Sequence, residues 1–141
     1  MAVFFYAEDV KIPSFPKLKV KRWFQQVIRS KGFKAGDISI IFCSDEHLLT
    51  LNKQYLQHDY YTDIITFDYT CDKIINGDLF ISIDRIAENA KSENVIFEIE
   101  LRRVMIHGIL HLMGFKDKSS SEALEMRKRE EESLALYQTI D

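Results

Sequence analysis

Long apolar stretches are missing from this sequence, since no run approaches the ~20 residues that a membrane-spanning helix needs. The first ten residues contain apolar side chains but no basic region, and Glu8 and Asp9 interrupt them, so we expect no signal peptide. Internal repeats, low-complexity segments and linkers are also missing. These features predict a single domain over residues 1–141 and a cytoplasmic location.

Cysteine is also rare, and the net charge is small. Cys43 and Cys71 lie far apart and form no C-x-x-C pair, which favours two reduced structural thiols in a reducing cytosol. The formal net charge is −3, so the chain has no overall excess of basic residues. Any contact with a nucleic acid must therefore come from a local patch of charge.

Apolar periodicity and turn residues predict the order β α β α β β α α α. The strands are expected at Val3–Tyr6, Asp37–Cys43, Thr62–Tyr69 and Asp78–Ile83. The helices are expected at Lys17–Ser30, Ser44 to about Tyr55, Asp84–Ser92, Asn94–Met113 and Ser119–Tyr137. A turn is expected at Lys73–Gly77, around the dipeptide Asn76-Gly77, which is the strongest short hairpin signal. Because two strands meet at a tight turn and others are joined through helices, we expect an α+β fold, with a mixed four-stranded sheet packed by about five helices.

Residues 107–117 read His-Gly-Ile-Leu-His-Leu-Met-Gly-Phe-Lys-Asp and carry the strongest chemical signal. His107 and His111 are four residues apart, so a helix places both imidazoles on one face. Gly114 can end that helix, and Asp117 follows where the returning chain could reach the same ion. We therefore predict that His107, His111 and Asp117 bind a metal ion at the end of a core helix. Three protein ligands leave one coordination position open, as catalytic metals require.

The spacing H-x3-H-x2-G-x2-D resembles that of metzincin proteases, but one residue argues against peptide hydrolysis. In those proteases the residue after the first histidine is the glutamate that acts as general base, whereas here it is Gly108. A metal alone can lower the pKa of its bound water to about 7. RNA also carries an internal nucleophile, its 2′-hydroxyl. The metal site therefore serves a chemistry other than proteolysis or uses a different general base.

The roles of two further groups of residues stay open. Glu100, seven residues before His107, could hydrogen-bond a ligand imidazole, or it could be an ordinary surface glutamate. Asn52, Thr62 and Asp63 flank a loop between a helix and a strand. Such residues commonly hydrogen-bond backbone groups in turns, so loop stabilisation alone could explain them.

Three segments together resemble the YbeY family of bacterial metallo-endoribonucleases, which are ribosomal-RNA maturation factors. Residues His107–Phe115 match the family signature H-G-x-L-H-L-x-G-[YF]. Residues Leu51–Phe67 are similar to its L-N-x-x-Y-R-x-x-D-x-x-T-D-V-L-S-F, and Gly77–Ser82 to its G-D-I-x-I-S. Together with a similar length and element order, the resemblance covers most of the chain.

The resemblance implies a zinc-dependent endoribonuclease that is specific for single strands and holds one Zn²⁺ ion. It implies ribosomal RNA as the substrate and the ribosome or its small subunit as a partner. The implied role is maturation of the 3′ end of small-subunit ribosomal RNA, together with ribosome quality control. Asp63, at the Thr-Asp entry to a strand, is the candidate for a supporting catalytic role.

Two positions depart from the family pattern. Asp117 stands where the family has its third histidine ligand, and a carboxylate there admits harder metals such as Mn²⁺ or Fe²⁺. Leu56 stands where the family has an arginine that is expected to face substrate phosphates. The candidates to replace that arginine, each otherwise an ordinary surface charge, are Lys53, Arg102, Arg103 and Lys116.

Two other functions remain open at this point. An iron-dependent oxygenase could use two histidines and one carboxylate as its facial triad, although such enzymes usually space their ligands as H-x-D with a distant second histidine. A metal-stabilised ribosome-assembly factor that binds RNA or protein without catalysis is favoured by the missing arginine and the acidic balance.

Overall fold

The secondary structure follows the predicted order. A computed structural model describes residues 2–57 and 61–141. The strands are β1 (Ala2–Ala7), β2 (Lys34–Cys43), β3 (Ile64–Asp68) and β4 (Ile74–Ser82). The helices are α1 (Lys17–Ser30), α2 (Asp45–Leu51), α3 (Ile83–Glu93), α4 (Phe97–Leu112) and α5 (Ser120–Tyr137). The predicted second helix is correct in place, but its second half, Asn52–Leu56, is a π-helical turn.

Within the described residues the strands form one four-stranded sheet in the order β1-β2-β4-β3. β1 pairs with β2 and β2 with β4 in parallel, whereas β3 pairs with β4 in antiparallel orientation. The chain passes from β1 to β2 through α1 and from β2 to β4 through α2 and β3, and a tight turn joins the antiparallel pair β3 and β4, as the sequence predicts. The expected α+β fold with a mixed sheet is therefore confirmed, and β3 is one of its edge strands.

The hairpin between β3 and β4 turns earlier than expected. Asp72 and Lys73 have φ angles of 52° and 63°, and two central residues with positive φ are typical of a type I′ turn. The predicted turn therefore overlaps the observed one only at Lys73, and its centre at Asn76-Gly77 is wrong, because both residues lie inside β4. Asn76 instead accepts a hydrogen bond from the backbone N–H of Asp37 at 2.8 Å, where the pairing of β2 with β4 shifts register.

The main core lies between the sheet and helices α1, α4 and α5. Trp23 and Phe24 of α1, Phe42 of β2 and Ile109 of α4 are completely buried there. The indole N–H of Trp23 donates to the backbone carbonyl of Ser133 at 2.7 Å and so ties α1 to α5. None of the helices in the described part of the chain has the length and apolar character to cross a membrane.

Gly108 allows α4 to lie close to the sheet. A Cβ atom at this position would come within 2.7 Å of Ile64 Cδ1 and 2.8 Å of Leu79 Cδ1, closer than carbon atoms can pack. The α-carbon of Gly108 therefore faces β3 and β4. A glutamate here would point into the packed core, which gives a steric reason for the absence of a protease-type base.

We expect Gly77→Ala to lower the free energy of unfolding by about 1–3 kcal/mol, because it overpacks the contact between α4 and the sheet. The new Cβ would lie 2.7 Å from Leu112 Cδ2 and 2.8 Å from the carbonyl oxygen of Phe67, whose position is fixed by pairing with β4. Urea unfolding followed by circular dichroism measures the change. The control, Ile74→Val at the exposed start of β4, should shift stability by less than about 0.5 kcal/mol. Equal stability of Gly77→Ala and the unmodified protein would contradict this packing.

Candidate metal centre

The end of α4 and the loop after it bring the three predicted ligands together. Nε2 of His107 lies 3.0 Å from Nε2 of His111, and Oδ2 of Asp117 lies 3.3 Å and 3.4 Å from these nitrogens. A tetrahedral ion with bonds of ~2.0–2.1 Å holds its ligand atoms about 3.3 Å apart. The three side chains are therefore spaced so that they could hold one divalent ion.

The helix end explains why Asp117 returns to the two histidines. Gly114 has a φ of 95°, in the left-handed region that the sequence predicted for it. The backbone N–H of Gly114 donates to the carbonyl of His111, and that of Phe115 to the carbonyl of Leu110, at 2.9 Å and 3.1 Å. These two bonds form a Schellman motif, which reverses the chain at the end of α4. Asp117 follows the reversal and faces the last turns of the helix.

Glu130 on α5 holds His107 from the opposite side. Its Oε2 lies 2.7 Å from Nδ1 of His107, and the residue is only 5% exposed. When Nδ1–H donates to this carboxylate, the lone pair of Nε2 faces the other two ligands. Metal-binding histidines are commonly oriented in this way by a carboxylate behind the ring.

Sequence reasoning missed Glu130 and considered Glu100 instead. In the structure Glu100 is buried beside Arg103, whose Nε lies 3.4 Å from its Oε1. Glu130 is separated from His107 by 23 residues and stands in a run of charged residues, Arg127–Glu132. Only the packing of α5 on α4 distinguishes it from its neighbours in that run.

The two imidazoles differ in their affinity for a proton. Burial opposes protonation of His107, but the Glu130, Asp63 and Asp117 carboxylates outweigh it and raise its pKa above the usual value. For His111, burial lowers the pKa, and the positive charge of His107 lowers it further. His111 is therefore the more readily available ligand at neutral pH, while Glu130 holds the proton of His107 on Nδ1.

Asp63 lies next to His107, at the entry to β3. Burial raises the pKa of its carboxyl group, partly opposed by the positive charge of His107. Nδ2 of Asn89 donates to Asp63 Oδ2 at 3.2 Å, and the backbone carbonyl of Asp63 accepts from the N–H of Ser82 at 3.0 Å. A carboxyl group with a raised pKa beside possible metal ligands is typical of functional sites.

An open groove of 520 Å³ runs between β3 and the end of α4, and the three ligands and Asp63 line it. Leu56, at the position of the family arginine, lines the same groove, as does Lys118. Arg102 and Arg103, two candidates to replace that arginine, form ion pairs with glutamates of α4 and α5. Neither arginine lines the groove within the described residues, so both act in other contacts.

Asn52 and Thr62, which flank the loop before β3, have a structural role. Asn52 is fully buried, and its Nδ2 donates to Oγ1 of Thr62 at 2.9 Å. This hydrogen bond joins the π-helical turn to the entry of β3 and supports the interpretation that both residues stabilise the loop. Asp59, which matches the family motif, lies outside the described residues.

Comparison with known proteins gives a consistent result over nearly the whole chain. A family model described as Endoribonuclease YbeY matches residues 5–138. A protein of that name from Parabacteroides distasonis is 52% identical over 136 residues, which cover 96% of each chain. Another from Bacteroides thetaiotaomicron is 49% identical over 136 residues, covering 96% of this chain and 99% of that protein.

Similarity to a solved structure supports the fold. The solution structure of TM1509 from Thermotoga maritima matches with a TM-score of 0.65 at 26% sequence identity. The match covers 98% of this chain and 93% of that one, so the similarity extends over both chains rather than over a shared fragment.

We expect Glu130→Gln to weaken the binding of a divalent ion by about 10–100-fold. The amide keeps the shape of the side chain but removes the negative charge that holds the proton on Nδ1 of His107. Competition with a fluorescent zinc chelator measures the affinity, and circular dichroism verifies that the variant is folded. The control is Glu132→Gln, an exposed position on the same helix, which should bind the ion normally. An unchanged affinity in Glu130→Gln would show that Glu130 does not orient His107.

Proposed function

The chain belongs to the YbeY family of endoribonucleases, and we propose that it is a metal-dependent enzyme that cleaves single-stranded RNA. The observation that carries this proposal is the set of three ligand atoms, from His107, His111 and Asp117, spaced for one ion beside an open groove. A groove open to solvent can receive an extended strand, whereas the bases of a duplex are stacked and paired.

In this proposal the three ligands hold one Zn²⁺ ion, and Asp117 also makes Mn²⁺ or Fe²⁺ acceptable. When bound, the ion supplies Lewis acidity to a water molecule and to the phosphate. Glu130 keeps the proton of His107 on Nδ1, so that Nε2 stays available. Asp63 accepts the proton of the attacking 2′-hydroxyl group of the RNA, because its raised pKa makes it a stronger base than an ordinary carboxylate. The 2′-oxygen bonds to phosphorus while the bond to the 5′-oxygen breaks, and the leaving 5′-oxygen takes a proton from solvent.

The site fits RNA better than a peptide as its substrate. Gly108 contacts the sheet, so the glutamate that serves as base in metzincin proteases has no counterpart on α4. An RNA phosphodiester can be attacked by the 2′-hydroxyl of the substrate itself, so the enzyme does not have to activate a water molecule as the nucleophile. A single carboxylate such as Asp63 then suffices as the proton acceptor.

We infer the cellular role from the same family. The chain, one catalytic domain over residues 1–141, would act in the cytoplasm on the 3′ end of small-subunit ribosomal RNA. Its partner would be the ribosome or the small subunit, where it also contributes to ribosome quality control.

Family membership argues against the iron-oxygenase alternative. A non-catalytic assembly factor is the second candidate, favoured by Leu56 in the groove where an arginine would bind phosphate.

Replacing His111 with alanine should abolish metal binding and RNA cleavage together, because two remaining ligands hold an ion poorly. Inductively coupled plasma mass spectrometry gives the bound metal, and a fluorescent single-stranded RNA gives the cleavage rate. His47→Ala, on α2, is the matched control and should keep both properties. A stoichiometric ion in His111→Ala would contradict the ligand assignment. Equal cleavage by this variant and the unmodified protein would favour the non-catalytic assembly factor.

Replacing Asp63 with asparagine should reduce kcat for RNA by about 10²–10⁴-fold, the usual contribution of a general base. The bound metal should stay stoichiometric, since Asp63 is not one of the three proposed ligands. The control is Asp68→Asn, which changes a carboxylate at the far end of β3 that also lines the groove and should keep kcat within a few-fold. A normal kcat in Asp63→Asn, with metal retained, would remove Asp63 from the mechanism.

A further inference from the structure

A second cavity lies on the other side of the edge strand β3, away from the metal ligands. Its volume is 410 Å³, within the range of ~300–1,000 Å³ that is typical of small-molecule sites. Four aromatic side chains dominate its lining, which consists of Leu51, Tyr55, Phe67, Tyr69, Asp78 and Phe80. We call it the aromatic pocket.

The aromatic pocket and the groove beside the metal ligands share one wall. Thr66 and Asp68 of β3 line the groove, and their chain neighbours Phe67 and Tyr69 line the aromatic pocket. The π-helical turn repeats this arrangement, since Leu56 lines the groove and Tyr55 lines the aromatic pocket. Successive side chains of a strand point to opposite faces, so the edge of β3 is a ridge between the two cavities.

The rings of the pocket are arranged to leave aromatic surface exposed. Tyr55 contacts Phe67 edge to face, with ring centroids 5.7 Å apart and an interplanar angle of 87°. Phe67 contacts Phe80 with the same distance and angle. Tyr55 and Tyr69 remain 58% and 60% exposed. The pocket thus has a packed floor and two accessible tyrosines at its rim.

Charge distinguishes a base from a phosphate as the occupant. The carboxylate of Asp78 lines the aromatic pocket, and no lysine or arginine among the described residues lines it. A phosphate would be repelled there, whereas the amino and imino groups of a nucleobase can donate to a carboxylate. Single-stranded RNA is bound in many proteins by bases that stack on aromatic side chains.

We propose that the aromatic pocket binds a nucleobase of the same RNA strand whose scissile phosphate lies in the groove beside the metal ligands. The strand crosses the edge of β3, with its backbone on the groove side and a flanking base stacked on Tyr55 and Tyr69. This proposal rests on the proposed endoribonuclease function, and it explains how the enzyme selects single strands. A base that is paired in a duplex cannot enter the pocket.

The test measures binding separately from cleavage. A fluorescent single-stranded RNA in which every 2′-hydroxyl is replaced by a 2′-O-methyl group cannot be cleaved by attack of that hydroxyl. Its affinity for the zinc-loaded full chain is measured by fluorescence anisotropy. Tyr55→Ala should weaken this affinity by about 5–100-fold, the loss of one stacked base. Tyr55→Phe keeps the ring and should bind normally. Tyr6→Ala removes a similarly exposed tyrosine from β1, at the opposite edge of the sheet, and is the matched control.

A second set of measurements identifies the base itself. RNAs that carry one abasic site are scanned along the strand, and one position should lose as much affinity for the unmodified protein as the tyrosine substitution does. That abasic site should cost nothing further in Tyr55→Ala, because the ring and the base form one contact. The zinc affinity, measured by competition with a fluorescent chelator, should be the same in both proteins, which shows that Tyr55→Ala keeps the metal site intact. Tyr69→Ala repeats the series in case the first variant unfolds.

The outcomes separate this proposal from the proposed function. If the unmodified protein cleaves RNA but Tyr55→Ala and Tyr69→Ala bind it equally well, the aromatic pocket does not bind a base, and a protein partner becomes its better occupant. If the unmodified protein binds RNA through Tyr55 but never cleaves it, the endoribonuclease proposal fails and the base-binding pocket stands. If it binds no RNA at all, both proposals are wrong.

Discussion

The close contact of α4 with the sheet brings the two candidate histidine ligands next to Asp63. Because Gly108 has no side chain, the helix lies against Ile64 and Leu79. This contact places His107 and His111 above the edge of β3, where the entry of that strand supplies Asp63. The groove exists because the helix ends there and the chain reverses at Gly114. A bulkier residue at position 108 would lift both imidazoles away from the strand that completes the site.

The electrostatics of the site follow from that burial. Carboxylates of Asp63, Glu130 and Asp117 surround the His107 imidazole, and burial, together with the negative charge of Glu130, raises the pKa of Asp63. Part of this negative charge is balanced by Arg103, which contacts Glu130 at 3.3 Å. A divalent cation bound by the three ligands would balance more of it and would reduce the repulsion that Asp63 and Glu130 exert on each other. The same carboxylates therefore orient the histidines and favour a cation beside them.

The sequence predicts those features that depend on local spacing. His107, His111, Gly114 and Asp117 fall within eleven residues, so helix geometry and one glycine are enough to bring them together. The α+β fold also follows from the order of strands and helices. Glu130 could not be predicted, because its contact with His107 depends on how α5 packs on α4. The turn at Asn76-Gly77 was predicted wrongly, since long-range pairing of β2 with β4 outweighs the local preference of that dipeptide for a turn.

The two departures from the family pattern act in the same direction. Asp117 stands where the family has a histidine, which can be protonated, and the apolar Leu56 stands where it has an arginine. Each replacement removes positive charge from the groove. Affinity for an RNA strand must then depend less on phosphate contacts and more on contacts that carry no charge. The proposed stacking of a base on Tyr55 would be such a contact, and stacking varies little with salt concentration, whereas phosphate binding by basic residues falls steeply as salt rises. In the proposed binding mode, a groove with little positive charge and an aromatic pocket across one strand are therefore complementary parts of one binding surface.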